Sequence, residues 1–429
     1  MNADGRKSAT HIPGPRSREL LQALRHRESR NVTAVSEDFP VVWERGEGAF
    51  VTDSDGNRYV DLTAAFGVAN VGHANPRVAR AIADQAAALP HAMGDVHPSS
   101  TRIAFLERLA TIVPEALQRT FLASTGSEAI EAAMKTAVMA TGRSTFAAFR
   151  GAYHGLSVGA LALCGIEKFR APFAGTIASG TVWLDYPHAG TDVRDAIATT
   201  AAQLRGREDV AAVFVEPIQG RGGCIVPPDG YLAGLRGLCD ELGILLVVDE
   251  IYTGFSRTGT WFAIQRENVV PDVLCVGKAM GGGFPISAAI ATRPVMDAWP
   301  ASQGEALHTS TYLGNPMGCA AALAVIEECA RLDLPARSRQ LGEIVHDRCA
   351  RWHGRYGITE VRGRGGFWGI AFEDAGRAER LVKRALQSGI ILLQSGAGGS
   401  VVTIGPPLII EFDDLKGALD EIEICLKEQ

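Results

Sequence analysis

From about Arg77 onward, short β-rich apolar runs alternate with Ala-rich helical stretches. The apolar runs fall at 120–123, 145–149, 210–215, 244–248, 273–276 and 286–291. Such alternation predicts an α/β domain with a largely parallel sheet. Ahead of it, residues 48–62 read as a hairpin: strands through Phe50-Val51 and Tyr59-Val60 around a turn at Asp55-Gly56-Asn57. Beyond about Leu323 the texture changes to helices at 320–329 and 337–352, β-like runs at 366–372 and 401–404, and a closing helix from Asp413. The expected organisation is a loose tail at 1–16, an N-terminal part of a small domain at 17–75, a large domain at 76–319 and the C-terminal part of the small α+β domain at 320–429.

Composition narrows the partners. Against 48 Asp and Glu stand 42 Lys and Arg, a net charge of -6, which lacks the basic footprint that nucleic acid demands. Eight cysteines (Cys164, Cys224, Cys239, Cys275, Cys319, Cys329, Cys349 and Cys425) form no Cys-x-x-Cys pair, as expected for reduced thiols in the cytoplasm. The longest apolar stretches are strand-sized, far short of the roughly 20 residues of a membrane span. Residues 1–16 are polar, with Pro13 and Pro15, and lack the apolar core of a secretory signal.

Several loops carry candidate chemistry. Thr125-Gly126-Ser127-Glu128 follows a strand and opens a helix, with Thr125 and Glu128 spaced as a capping box. The N–H groups of Gly126 and Ser127 and the Ser127 hydroxyl suit a phosphate, or simply cap a helix with no ligand. Asp249-Glu250 closes the 244–248 strand, where open α/β sheets bind ligands. A carboxylate there can keep a pyridine nitrogen protonated; the pair equally suits a metal or solvent. Lys278, in Gly277-Lys278-Ala279-Met280-Gly281-Gly282-Gly283, is either a surface charge or a desolvated amine nucleophile. Ala279 after the lysine excludes a phosphate-loop NTPase. Tyr153, after the 145–149 strand, can stack on a flat heterocycle or sit half-buried in a loop. The turn His308–Pro316, with Thr311, is a phosphate contact or an ordinary helix cap.

In order and spacing, these pieces resemble the class III pyridoxal 5'-phosphate (PLP) aminotransferases, the ornithine, acetylornithine and 4-aminobutyrate group, over nearly the whole chain. Asp249-Glu250-Ile251, Thr253-Gly254-Phe255 and Arg257-Thr258-Gly259 resemble the family's signature, and Gly277-Lys278 its attachment loop. The resemblance implies PLP fold type I with a seven-stranded, mostly parallel sheet. It also implies that Lys278 forms the Schiff base and shuttles the proton, Asp249 pairs with the pyridinium nitrogen, Tyr153 stacks on the ring, and Gly126 and Ser127 hold the phosphate. Thr311 would complete the phosphate site from the neighbouring subunit of a homodimer. Glu216 matches a family carboxylate near the site. An amine donor and a carbonyl acceptor would be the substrates of a ping-pong transamination.

Four positions depart from the pattern. Leu156 and Thr403 stand where ornithine- and 4-aminobutyrate-type members place substrate-gripping arginines, and Arg221 stands where ornithine-type enzymes carry a glutamate. Arg221 is therefore either the substrate-carboxylate contact from a new direction or a surface charge. Tyr252 replaces the usual glutamine, with its hydroxyl expected to reach the cofactor's phenolic oxygen. The missing clamps point to a longer ω-amine or an amino sugar. An aminomutase or amino acid racemase shares the scaffold and differs in retaining the amino group. A catalytically silent binding protein is disfavoured by the intact Lys278, Asp249 and Thr311.

Overall fold

The computed structural model describes residues 12–428 apart from 179 and 397. After a helix at Pro15–Arg27 come strands β1 (Trp43–Glu47), β2 (Phe50–Asp53) and β3 (Arg58–Asp61), an antiparallel meander around the expected turn. The large sheet follows: β4 (Leu117–Ala123), β5 (Thr145–Phe149), β6 (Val182–Leu184), β7 (Val210–Val215), β8 (Leu245–Asp249), β9 (Val273–Val276) and β10 (Ser287–Thr292). Its order is β4-β10-β9-β8-β7-β5-β6, with β10 antiparallel to both neighbours and β9 through β6 parallel.

Helices cover both faces of this sheet, which is why its strands are apolar throughout. Leu246 and Val248 of β8 pack into one buried cluster, while Val247 between them packs into another with Ile130, Ala133 and Phe214. The second cluster lies under the helix Gly126–Thr141, whose small residues Ala129, Ala132, Ala133 and Ala137 let it approach the strands closely.

The chain ends build the smaller unit together. Strands β11 (Ile358–Arg364), β12 (Phe367–Phe372), β14 (Leu393–Ser395) and β15 (Val401–Ile404) form an antiparallel sheet in the order β11-β12-β15-β14. Strand β13 (Ile390–Ile391) instead joins the N-terminal meander, pairing parallel with β3 at Ile390↔Val60. Within the stretch expected to be a loose tail, a helix begins at Pro15, its first N–H groups at Arg16 and Ser17 held by Asp55. Ile12 is buried against Val41, Val51, Tyr59 and Leu386, so apolar burial orders residues that their polar neighbours had disguised. Residues 1–11 lie outside the described chain. Among the described residues no helix is long and apolar enough to cross a membrane.

Candidate active site

Parallel strands end on one edge of the sheet, so their following residues converge there. From β4 to β9 that edge delivers Thr125–Ser127, Tyr153–Gly155, Glu216, Asp249 and Lys278. Because β10 runs the other way, its first residue lies on the same edge: the buried Ser287 donates to Thr125 O at 2.6 Å and pins the start of the helix. The capping box forms as its spacing predicts, with Thr125 accepting from Glu128 N and Glu128 accepting from Thr125 N. The N–H groups of Gly126 and Ser127 have no partner inside the helix, as at any helix start. A Cβ on Gly155 would overlap Ser127 Oγ, so glycine there keeps the serine side chain in place.

Behind these groups lies a buried polar chain. Asp249, 5% exposed, accepts from Ile251 N–H at 2.9 Å and from His154 Nδ1 at 2.7 Å. Burial disfavours a charged His154, but the Asp249 hydrogen bond and charge outweigh it and raise the histidine's pKa above its ordinary value. Glu216 accepts from the N–H groups of Tyr153 and Gly220, at 2.9 and 3.0 Å, and burial pushes its pKa up to about 7. It thereby ties the loop of Tyr153 to the loop of Arg221. Burial lowers the pKa of Lys278 against the opposing pull of Asp249 and Glu216.

Asp249 and Glu250 do not act as a pair, contrary to the reading of two carboxylates at a ligand edge. Glu250 turns away to accept from Thr253 Oγ1, Ala263 N and Ile264 N, at 2.8, 2.8 and 2.9 Å, and so closes the loop after β8. Within that loop Arg257 is fully buried, donating to Gly366 O and Pro406 O at 2.8 and 2.7 Å and to Asn70 Oδ1. Burial depresses its pKa to about 10. Its guanidinium fork fastens the site loop to segments from both chain ends.

Tyr252 lies with its ring beneath Lys278, the lysine Nζ 4.0 Å from the ring centroid. Its hydroxyl makes no hydrogen bond among the described residues. Tyr153 is half-buried, edge-on to Phe169. Arg221 is exposed; its guanidinium donates to Gln394 O at 3.1 Å and faces the Phe169 ring. Leu156 is exposed, and Thr403 is buried against Ser395 Oγ at 2.7 Å, so neither supplies a cation. Thr311 is exposed and has no hydrogen bond among the described residues of its own chain.

Sequence reasoning had no signal for His154 as the Asp249 partner beyond its place beside Tyr153. It also had none for Asn70 as the Arg257 acceptor, since 187 residues separate them.

The edge fits a phosphorylated pyridine aldehyde: free helix N–H groups beside a serine held by glycine, a fixed buried carboxylate, and a lysine amine of lowered pKa. The chain belongs to the class-III aminotransferase family, which matches residues 32–426. It is 38% identical over 384 residues to an acetylornithine aminotransferase of Methanosarcina mazei, spanning 90% of this chain and 91% of that protein. A namesake from Methanosarcina acetivorans is 36% identical over equal spans. Among solved structures, a PLP-bound amine transaminase from an uncultivated Pseudomonas species has a TM-score of 0.87 at 29% identity, covering 94% of this chain and 98% of that one. The ornithine aminotransferase of Toxoplasma gondii has a TM-score of 0.85 at 30% identity, covering 96% and 95%. The protein is thus a PLP-dependent aminotransferase of fold type I that takes small-molecule amine donors and carbonyl acceptors. Nothing in these comparisons favours an isomerase or a silent binding protein.

Proposed function

We propose that Lys278 holds pyridoxal phosphate and moves the substrate's proton, with Asp249 as the partner of the ring nitrogen. The observation that carries this reading is their juxtaposition: Asp249 ends β8 in register with Cys275, three residues before Lys278 on β9. When bound, the cofactor supplies a protonated ring that accepts the electron pair left as the substrate carbon loses its proton. Lowered by burial, Lys278 has a larger neutral fraction near pH 7 and serves as base and then as acid. His154 and the Ile251 N–H hold the Asp249 carboxylate in one orientation. Tyr153 covers one face of the ring, and Gly126 and Ser127 bind the phosphate at the helix start.

Thr311 reaches the phosphate of a second copy's site, which makes the enzyme a homodimer. Its exposure in the single chain supports this, as does the exposed apolar surface of Phe66, Met93, Val96, Leu307 and Tyr312. Arg221 contacts a substrate carboxylate. The donor is an ω-amine, with N-acetylornithine the first to test because two relatives carry that name, and amino sugars next. The enzyme works in the cytoplasm.

Absorbance spectra of the purified protein with excess PLP test the reading. A visible band that is absent in Lys278→Ala, and that one amine bleaches with release of a carbonyl product, is expected. A wild-type protein that never shows a lysine-dependent band would overturn it.

A further inference from the structure

The orientation of Tyr252 is imposed from three sides. A Cβ on Gly67 would overlap Tyr252 Cε2, one on Gly220 would overlap Cδ1, and Phe367 meets the ring edge-on at 4.5 Å. Gly67 arrives there through a turn in which Ala64, Ala65 and Phe66 all adopt positive φ, at 47, 48 and 63°. Left-handed conformations are strained for non-glycine residues, so the turn persists only because its surroundings demand it. Asp61 supplies that demand, accepting from Thr63 N, Thr63 Oγ1 and Ala65 N while His73 bonds its second oxygen. The result is a slot that presents one face of the Tyr252 ring to Lys278 Nζ at 4.0 Å. The lysine nitrogen makes no hydrogen bond or ion pair among the described residues.

We propose that Tyr252 is a positioning residue whose ring face receives the Lys278 ammonium whenever that amine is not engaged with the cofactor, and steadies its proton. This rests on the reading of Lys278 as the cofactor-holding residue, and it replaces the expected role of the tyrosine hydroxyl with one for the ring. A cation over an aromatic face is held by the ring's quadrupole, and the attraction grows as water is removed. Asp249 and Glu216 also favour the ammonium; around the ring stand Cys224, Asp61 and the cations Arg257 and Arg221. Substitution of Tyr252 leaves all six in place. The tyrosine thus opposes the desolvation that would otherwise strip the lysine of its proton before the proton is delivered to product.

The test follows the pH dependence of PLP rebinding to full-length protein stripped of cofactor, read as the rate at which the lysine-dependent visible band returns. Only the neutral amine reacts, so the midpoint of the profile reports the free Lys278 amine. Tyr252→Phe keeps the ring and should hold the wild-type midpoint. Tyr252→Leu and Tyr252→Met lose it, and should move the midpoint down by about 0.4–1.5 pH units, speeding return of the band on the acid side about threefold or more. Circular dichroism confirms which variants fold, and either aliphatic variant suffices. A midpoint unmoved in the aliphatic variants, or moved as far by phenylalanine, overturns the proposal. A wild type without any lysine-dependent band instead sinks the assignment of Lys278 and this inference with it.

Discussion

Replacing Asp249 with asparagine separates the two jobs its position implies. The side chain keeps its shape, and its amide oxygen can still accept one of the two hydrogen bonds now received, from His154 Nδ1 and Ile251 N. What disappears is the charge. Hydrogen bonds to charged groups contribute about 1.5–3 kcal/mol, against about 0.5–1.5 for neutral ones, so the His154 pKa should fall. His154 is 2% exposed, and without the carboxylate burial prevails and takes its pKa below the ordinary 6.5.

The stability consequence has a definite sign. In the wild type the folded histidine's pKa is raised, so its contribution is complete below about pH 6.5 and is lost as pH rises through the folded value. In Asp249→Asn that contribution vanishes, so the stability gap between wild type and variant should narrow from pH 6 to pH 8. Burial, the largest cause of the raised pKa of about 7 at both Glu216 and Glu250, is the same in the two proteins, so that part of their pH dependence cancels from the difference. Turnover should fall about 10²–10³-fold, the usual cost of removing one preorganised electrostatic group. Histidine-labelled NMR titration, assigned with His154→Gln, reads the pKa, and single-turnover kinetics read the rate. An unmoved His154 midpoint, or turnover within about threefold of wild type, would refute the assignment of Asp249.

Three further substitutions probe other parts of the site. Gly155→Ala places a methyl group against Ser127 Oγ at a residue with φ of 124°, and should weaken PLP binding at least about tenfold in equilibrium dialysis. Arg221→Ala, at an exposed position, should raise KM for carboxylate-bearing amines about 5- to 30-fold, leaving kcat, melting temperature and carboxylate-free amines unchanged. Arg257→Met strands three buried acceptors and should cost about 3–5 kcal/mol in denaturant unfolding, with Arg257→Lys recovering only part because an ammonium lacks the fork.

Much of the architecture was legible from apolar pattern alone, because strands buried on both faces must be continuously hydrophobic. Runs at 145–149, 210–215 and 273–276 match observed strands, and the capping box at Thr125–Glu128 marks a helix start to the residue. The short edge strand Val182–Leu184 and the helix from Pro15 carried too few apolar residues to register. Chain order also placed Lys278, Asp249, Tyr153 and Ser127 just after strands, and a parallel sheet brings such residues to one edge.

Direction and partnership were decided only by tertiary structure. Asp249 and Glu250 are neighbours in sequence, yet one faces the site and the other closes a loop, since adjacent side chains at a strand end leave opposite faces. His154 became a titrating partner because the ends of β5 and β8 approach across β7, a proximity that no local pattern encodes. Tyr252, identical in sequence whether its hydroxyl or its ring does the work, owes its orientation to Gly67 and Gly220, about 185 and 32 residues away. Local sequence sets backbone preference and burial; which groups meet is set by closing long loops, and that information resides in the packed whole.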